Sequence, residues 1–202
     1  SSHHLWGNVG YRHSALFRFM NTVGIAYPDH NPDSWEGWHW GGIHTWGFSH
    51  RLGNPEQDDL LEDALKHTTM IVFWSSDPET NNGIYAAYES SIRRKWLKKL
   101  GVKMVFIDPF YNHTAGLYSD KWFSPRVGTD AALAVSIAYV WLTEGLYDKE
   151  YVRTRTHGFD IWKAYVLGEE DGVPKTPEWQ EEETGVPARV VRALAREWGA
   201  KK

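Results

Sequence analysis

The chain has 202 residues and a mass of 23.3 kDa, enough to bury a substantial core and short enough that one domain, two at most, is expected. With 42% hydrophobic and 24% charged residues it has the composition of a folded globular protein and not of a disordered segment. A net charge of -4 argues against nucleic acid or an anionic membrane as partner, and the lack of cysteine excludes disulfides, thiolate metal or iron-sulfur sites and cysteine nucleophiles in this chain.

The chain opens on Ser1-Ser2-His3-His4-Leu5-Trp6-Gly7-Asn8, which reads as natural sequence and not as a purification tag. From Ser14, the spacing of Leu16, Met20 and Val23 is that of an amphipathic helix, ended by Gly24 and Pro28. Residues Asp29 to Gly42 are rich in Pro, Asn, Asp, Gly and Trp, a composition that supplies turns and exposed side chains, so a site loop is expected there. Four of the 12 tryptophans, Trp35, Trp38, Trp40 and Trp46, fall in or beside it. Such a cluster either packs a core or walls a site for a flat ligand. Acidic residues from Glu56 to Asp63 ahead of Leu65 predict a short helix with its negative charges at the positive end of the dipole.

Thr69 to Trp74 is a continuous apolar, β-prone run, the pattern of a strand covered on both faces. Ile84 to Leu100 predicts a helix closed by Gly101, and Val102 to Ile107 a second strand. A short third strand is expected at Lys121 to Ser124, then a buried helix from Thr129-Asp130 through Leu142. From Tyr147 to Trp198, helical stripes alternate with turns. The predicted fold class is therefore α/β, a three-layer, doubly wound, mainly parallel sheet of Rossmann-like type. Residues 1–202 are expected to form a single domain, with leading helices and site loop in 1–66 and the α/β core in 67–202. The apolar run from Ala131 to Leu142 is too short to span a bilayer, and the expected location is cytoplasmic, on the understanding that a fragment would show no signal peptide.

Open α/β sheets bind ligands beyond the carboxyl ends of their strands. The segments beyond the strands are Ser75 to Thr80, Asp108 to Thr114 and Arg126 to Asp130, and the candidate binding residues at these ends are Trp74, Ser75, Ser76, Asp77 and Thr80, then Ile107, Asp108 and Pro109, then Gly128 and Asp130. Small residues let backbone N–H groups approach phosphate, and a carboxylate accepts paired N–H or hydroxyl donors from a nucleotide. The same aspartates could equally cap helices and turns. No GxGxxG or GxxxxGK[ST] pattern occurs, which disfavours an ordinary dinucleotide dehydrogenase and a P-loop enzyme. His39, His44 and His50 lack an HExxH pattern or a cysteine partner, so a zinc site is not expected.

The order of Ile71-Val72-Phe73-Trp74-Ser75-Ser76-Asp77-Pro78, Phe106-Ile107-Asp108-Pro109 and Ser119 to Leu133, which contains Ser124-Pro125-Arg126-Val127-Gly128-Thr129-Asp130, resembles the molybdopterin guanine dinucleotide oxidoreductases of the dimethyl-sulfoxide-reductase superfamily. The segments Thr156-His157-Gly158-Phe159-Asp160, Lys175-Thr176-Pro177-Glu178-Trp179 and Thr184-Gly185-Val186-Pro187 also look like that family, so the resemblance covers about Met70 to Trp198. It departs from the family pattern at Phe110, where arginine is common, which removes a charge contact to phosphate from that position.

The resemblance implies that this chain is one domain of a larger catalytic subunit with molybdenum and bis-molybdopterin guanine dinucleotide as cofactors. Ser75, Ser76 and Asp77 would lie along the dinucleotide, Asp108 would hold ribose or guanine, and Gly128 with Asp130 would close on the guanine. It further implies a serine ligand to molybdenum, for which Ser34 in His30-Asn31-Pro32-Asp33-Ser34-Trp35 is best placed, with Asp33 able to ligate instead. Asp33 and His3 are then the candidate acid-base groups, and Tyr11 and Arg12 candidate polar contacts to substrate.

Within the family, the opening and the Asp33-Ser34-Trp35 loop resemble members that transfer hydroxyl groups between polyhydroxylated benzenes, so a small aromatic substrate is implied. The remaining domains of the subunit and an iron-sulfur small subunit are the implied protein partners. A serine-ligated S- or N-oxide reductase and a non-catalytic nucleotide-binding module are the alternatives.

Overall fold

The computed structural model describes residues 12–25, 36–47, 60–81 and 89–201. The chain divides into two compact units, Ser1–Asp58 and Asp59–Lys202.

In the first unit α1 spans Arg12–Val23, where the Leu16, Met20, Val23 stripe predicts it. Gly24, at φ 72°, ends the helix, and the Ile25 N–H returns to the Met20 carbonyl at 3.0 Å. A second helix, α2, spans Glu36–Trp46 and corrects the expectation of irregular structure through Gly42. No proline follows Pro32 in this stretch, so nothing interrupts the i to i-4 ladder. Trp40 and His44 lie one turn apart with ring centroids 6.1 Å from each other, and Gly47 at φ 77° closes the helix. The turn-rich composition here includes residues of weak helix propensity, which is a weaker prior than an unbroken ladder.

The second unit is built on a parallel sheet in the order β1 (Met70–Trp74), β2 (Lys103–Ile107), β3 (Lys121–Phe123). The register aligns Trp74 with Ile107 and Ile107 with Phe123, so the three strands end flush at their carboxyl edge. Alternation then sends Ile71, Phe73, Met104 and Phe106 to one face, and Val72, Trp74, Val105 and Ile107 to the other.

On the first face pack α3 (Leu60–His67), α5 (Glu89–Lys99) and α6 (His113–Tyr118), through Leu65, Leu97 and Ala115. Phe73 stacks on Phe106 there, with centroids 4.5 Å apart. A single turn, α4 (Pro78–Asn81), precedes α5. On the opposite face lie α7 (Asp130–Glu144) and α11 (Ala188–Gly199), which contribute Leu133, Ile137, Val140, Val191 and Leu194 to the core. Between them run α8 (Lys149–Arg155), α9 (Phe159–Leu167) and α10 (Pro177–Thr184).

This is the expected three-layer α/β arrangement. Elements joining successive strands sit on one face and the chain crosses to the other after β3. The first strand differs from its reading: all five β1 residues are partly exposed, and β2 is the strand buried on both faces. Among the described residues β1 is an edge, so its apolar run reports two covered faces but not a partner on both sides. Helix α6 has no apolar stripe long enough to read in sequence. Its signal is its cap, the Asn112 side chain accepting from the Ala115 N–H.

Candidate functional site: the carboxyl edge of the sheet

Because the strands end flush, Ser75, Asp108 and Ser124 begin three neighbouring loops on one edge. These loops are tied together by hydrogen bonds. The Ser75 N–H donates to the Ile107 carbonyl at 2.8 Å and the Asp108 N–H to the Phe123 carbonyl at 3.1 Å. The Ser124 hydroxyl reaches the Pro109 carbonyl at 3.1 Å, and the Trp122 indole N–H donates to the Asp108 carbonyl at 2.9 Å. Ser75 holds the left-handed conformation at φ 48°, rare for a residue with a Cβ and typical of a chain forced to turn sharply at a site.

Asp130 is the first residue of α7 and sits under the end of β1. Its Oδ1 accepts from the Trp74 indole N–H at 2.7 Å and from the Ser75 hydroxyl at 3.3 Å. Trp74 therefore buries its ring against the α7 face and spends its N–H on orienting this carboxylate. Asp108 turns toward the other face. Its Oδ1 accepts from the Phe110 N–H at 2.8 Å and its Oδ2 from Asn112 Nδ2 at 2.9 Å. Two hydrogen bonds, through Ser75 and Ile107, thus connect Asp130 to the residue before Asp108. The structure brings the two carboxylates to one edge.

Asp77 is committed elsewhere. Its Oδ1 accepts both the N–H and the hydroxyl of Thr114, at 3.0 and 2.6 Å, which locks α4 to α6. Burial pushes the Asp77 carboxyl up. The hydrogen bonds from Thr114 and Thr80, with the charge of His113 added, outweigh burial and hold it below the ordinary aspartate value. Below it, Glu79 pairs with the Arg94 guanidinium at 2.7 Å in a largely buried ion pair. Thr80, at the end of the α4 turn, is exposed and bonds back to Asp77.

Ile107 is fully buried, so its side chain belongs to the core, and its carbonyl is already taken by Ser75. Ser76 gives its carbonyl to Asn112, at 3.2 Å, and Pro109 its carbonyl to Ser124. Gly128 adopts φ 81° in open space, so it is needed for the turn and not for close packing. Arg126, between β3 and that glycine, caps the end of α10, donating to the Glu182 carbonyl at 2.6 Å. His3, Tyr11, Asp33 and Ser34, and the side chain of Arg12, lie outside the described residues.

Sequence reasoning placed Asn112 and Thr114 in the strand-end segment Asp108 to Thr114 without giving them a role, and it overlooked Trp122 and Ser124 as ties. Each acts by tying one loop to another, and only the Asn-x-x-Ala cap pattern at Asn112 has any local signature. Among the described residues no group of three His, Cys, Asp or Glu side chains could hold a metal ion. Two oriented carboxylates, serine hydroxyls and a forced turn at the ends of parallel strands instead form a donor-and-acceptor edge suited to the base and ribose of a nucleotide.

The model of the molybdopterin oxidoreductase family matches residues 14–189, most of the chain and all three strand-end loops. The chain belongs to the molybdopterin oxidoreductases. Among curated relatives this molybdopterin oxidoreductase chain is 71% identical over 201 residues to the pyrogallol hydroxytransferase large subunit of Pelobacter acidigallici, an alignment covering 100% of the chain and 23% of that protein. It is 37% identical over 151 residues to the dimethyl sulfoxide/trimethylamine N-oxide reductase of Cereibacter sphaeroides, covering 72% of the chain and 18% of that protein. Among solved structures, the acetylene hydratase of Pelobacter acetylenicus superposes with a TM-score of 0.54 at 27% identity, covering 68% of this chain and 18% of that one. The chain spans about a quarter or less of the length of these relatives. Membership in a family of dimethyl-sulfoxide-reductase type implies molybdenum with molybdopterin guanine dinucleotide.

Proposed function

We propose that this chain holds the guanosine end of a molybdopterin guanine dinucleotide at the carboxyl edge of its sheet, as part of a subunit that transfers hydroxyl groups between polyhydroxylated benzenes, from pyrogallol to phloroglucinol. The observation that carries the reaction class is the 71% identity over 201 residues to the pyrogallol hydroxytransferase large subunit, in an alignment that spans the whole chain.

In this reading Asp108 and Asp130 accept the N–H and O–H donors of guanine and ribose. Ser75, whose hydroxyl donates to Asp130, lies along the dinucleotide, and the Ser76 hydroxyl with neighbouring backbone N–H groups faces the phosphates. Trp74, Ile107 and Pro109 fix the loops, Asp77 with Thr80 holds α4 in place, and Gly128 makes the turn that presents Asp130. The donor set fits the nucleotide: both carboxylates are oriented by neutral N–H groups, and each retains acceptor sites.

When bound, the cofactor supplies the redox change and the oxygen handling that ring hydroxylation requires. Ser34 is the proposed protein ligand to its molybdenum, a hard alkoxide suited to an oxidised metal. Asp33, with His3 as second choice, moves phenolic protons, Tyr11 and Arg12 steady the ring substituents, and tryptophans of the loop stack the ring. An iron-sulfur small subunit and the rest of the same subunit complete the assembly.

Hydroxyl transfer leaves no net redox change, so the complete enzyme should convert trihydroxybenzene with no added electron donor. Sulfoxide or N-oxide reduction that depends on a donor, with no such conversion, would assign the chain to the oxide reductases instead. A parent protein purified without molybdenum or pterin would leave only a nucleotide-binding module.

A further inference from the structure

We propose that Asn112 is a positioning residue for guanine recognition, which sets the Asp108 carboxylate and clips the loop after β1 to the loop after β2. The inference rests on the reading of Asp108 as a nucleotide contact and deepens it. Asn112 occupies the N-cap of α6, and its Oδ1 accepts from the Ala115 N–H at 2.9 Å. That bond fixes which end of the amide faces the site, because only Nδ2 can then serve the two acceptors opposite, Asp108 Oδ2 at 2.9 Å and the Ser76 carbonyl at 3.2 Å.

The residue type follows from this double duty. Asn, Asp, Ser and Thr all cap helices, but of these only Asn also offers an N–H pair. An aspartate would set a second carboxylate against Asp108, and a hydroxyl residue has a single, shorter donor.

The consequence for Asp108 is orientation without saturation. Each of its oxygens receives one N–H, from Phe110 and from Asn112, and a carboxylate offers about four acceptor positions. Asp77 contrasts with this, the N–H and hydroxyl of Thr114 converging on one of its oxygens and the Thr80 side chain adding a further bond. A carboxylate held in one rotamer before binding presents paired acceptors to a guanine edge at no ordering cost, and freeing it would weaken guanine binding and narrow the discrimination against adenine.

The test uses the complete parent subunit without cofactor, titrated calorimetrically with GDP and with ADP as probes, alongside its thermal midpoint. Asn112→Ser keeps a side chain that caps Ala115 and removes the amide. We expect it to bind GDP about tenfold more weakly with ADP binding unchanged, a selective loss that a lower thermal midpoint alone does not produce, and Asp108→Ala to lose GDP to at least the same extent. If Asn112→Ser binds GDP as the wild type does while Asp108→Ala does not, the role of Asn112 falls and the reading of Asp108 stands. Equal weakening of GDP and ADP with a lower midpoint would show Asn112 to be merely structural. If Asp108→Ala retains GDP, or the wild type shows no preference for GDP over ADP, the underlying reading falls as well.

Discussion

At the scale of the residue, the site is made by side chains that orient other side chains. Trp74 donates its indole N–H to Asp130 while its ring packs in the core. Trp74→Phe keeps most of that packing and removes the donor to a charged acceptor, so a loss of about 1.5–3 kcal/mol is expected in equilibrium denaturation. Asp77 supplies a pH signature. Its folded-state pKa lies below the ordinary 3.8, so its stabilising contribution is complete above about pH 4 and is lost as the pH falls through the depressed folded value. Urea midpoints measured between about pH 6 and pH 3 should therefore show a shallower acid decline in Asp77→Asn than in the wild type. Identical acid limbs would remove Asp77 from the account of stability.

At the scale of the element, β2 carries the second unit. Phe106 is fully buried on one of its faces, stacked on Phe73, and Phe106→Ala should cost about 3–5 kcal/mol by the same denaturation measurement. The α9 helix ends at Gly168, where φ is 78° and an added Cβ would lie 2.3 Å from the Pro174 nitrogen. Gly168→Ala should fail to give soluble protein or lose more than the roughly 1–2 kcal/mol of left-handed strain alone, because backbone and not a movable side chain stands in the way.

The strands were legible because an apolar, β-prone run bounded by Ser-Asp-Pro or Asp-Pro is a local pattern, and residues 71–73 and 104–107 carry it without ambiguity. Helix α2 was not, since Gly41, Gly42 and three tryptophans favour a loop locally while backbone continuity favours a helix. Likewise Asp108 and Asp130 could be placed at strand ends from sequence. Asn112 lies only four residues beyond Asp108, where its role as a helix cap is the one local signal, whereas Trp74 meets Asp130 across 56 residues of sequence, a non-local fact that no single window contains.

At the scale of the whole molecule, the chain matches one part of much longer proteins. It covers under a quarter of the pyrogallol hydroxytransferase large subunit it resembles. A concavity of about 490 Å³ does occur, but it is lined by residues from Tyr147 to Lys163 and by none of the strand-end loops. Among the described residues no helix is long and apolar enough to cross a membrane. Replacing Ser34 by alanine in the complete enzyme should abolish trihydroxybenzene turnover while most of the guanine nucleotide stays bound, since the proposed metal ligand and the guanosine contacts lie in different segments of the chain. Unchanged turnover would remove Ser34 from the mechanism.

The most direct measurement is the GMP liberated by acid hydrolysis of the intact, cofactor-loaded parent, counted per chain together with molybdenum. The account predicts both in the wild-type protein and a severe loss of both from an Asp108→Ala, Asp130→Ala double variant whose circular dichroism is unchanged. A double variant that keeps its full complement of GMP and molybdenum would contradict it.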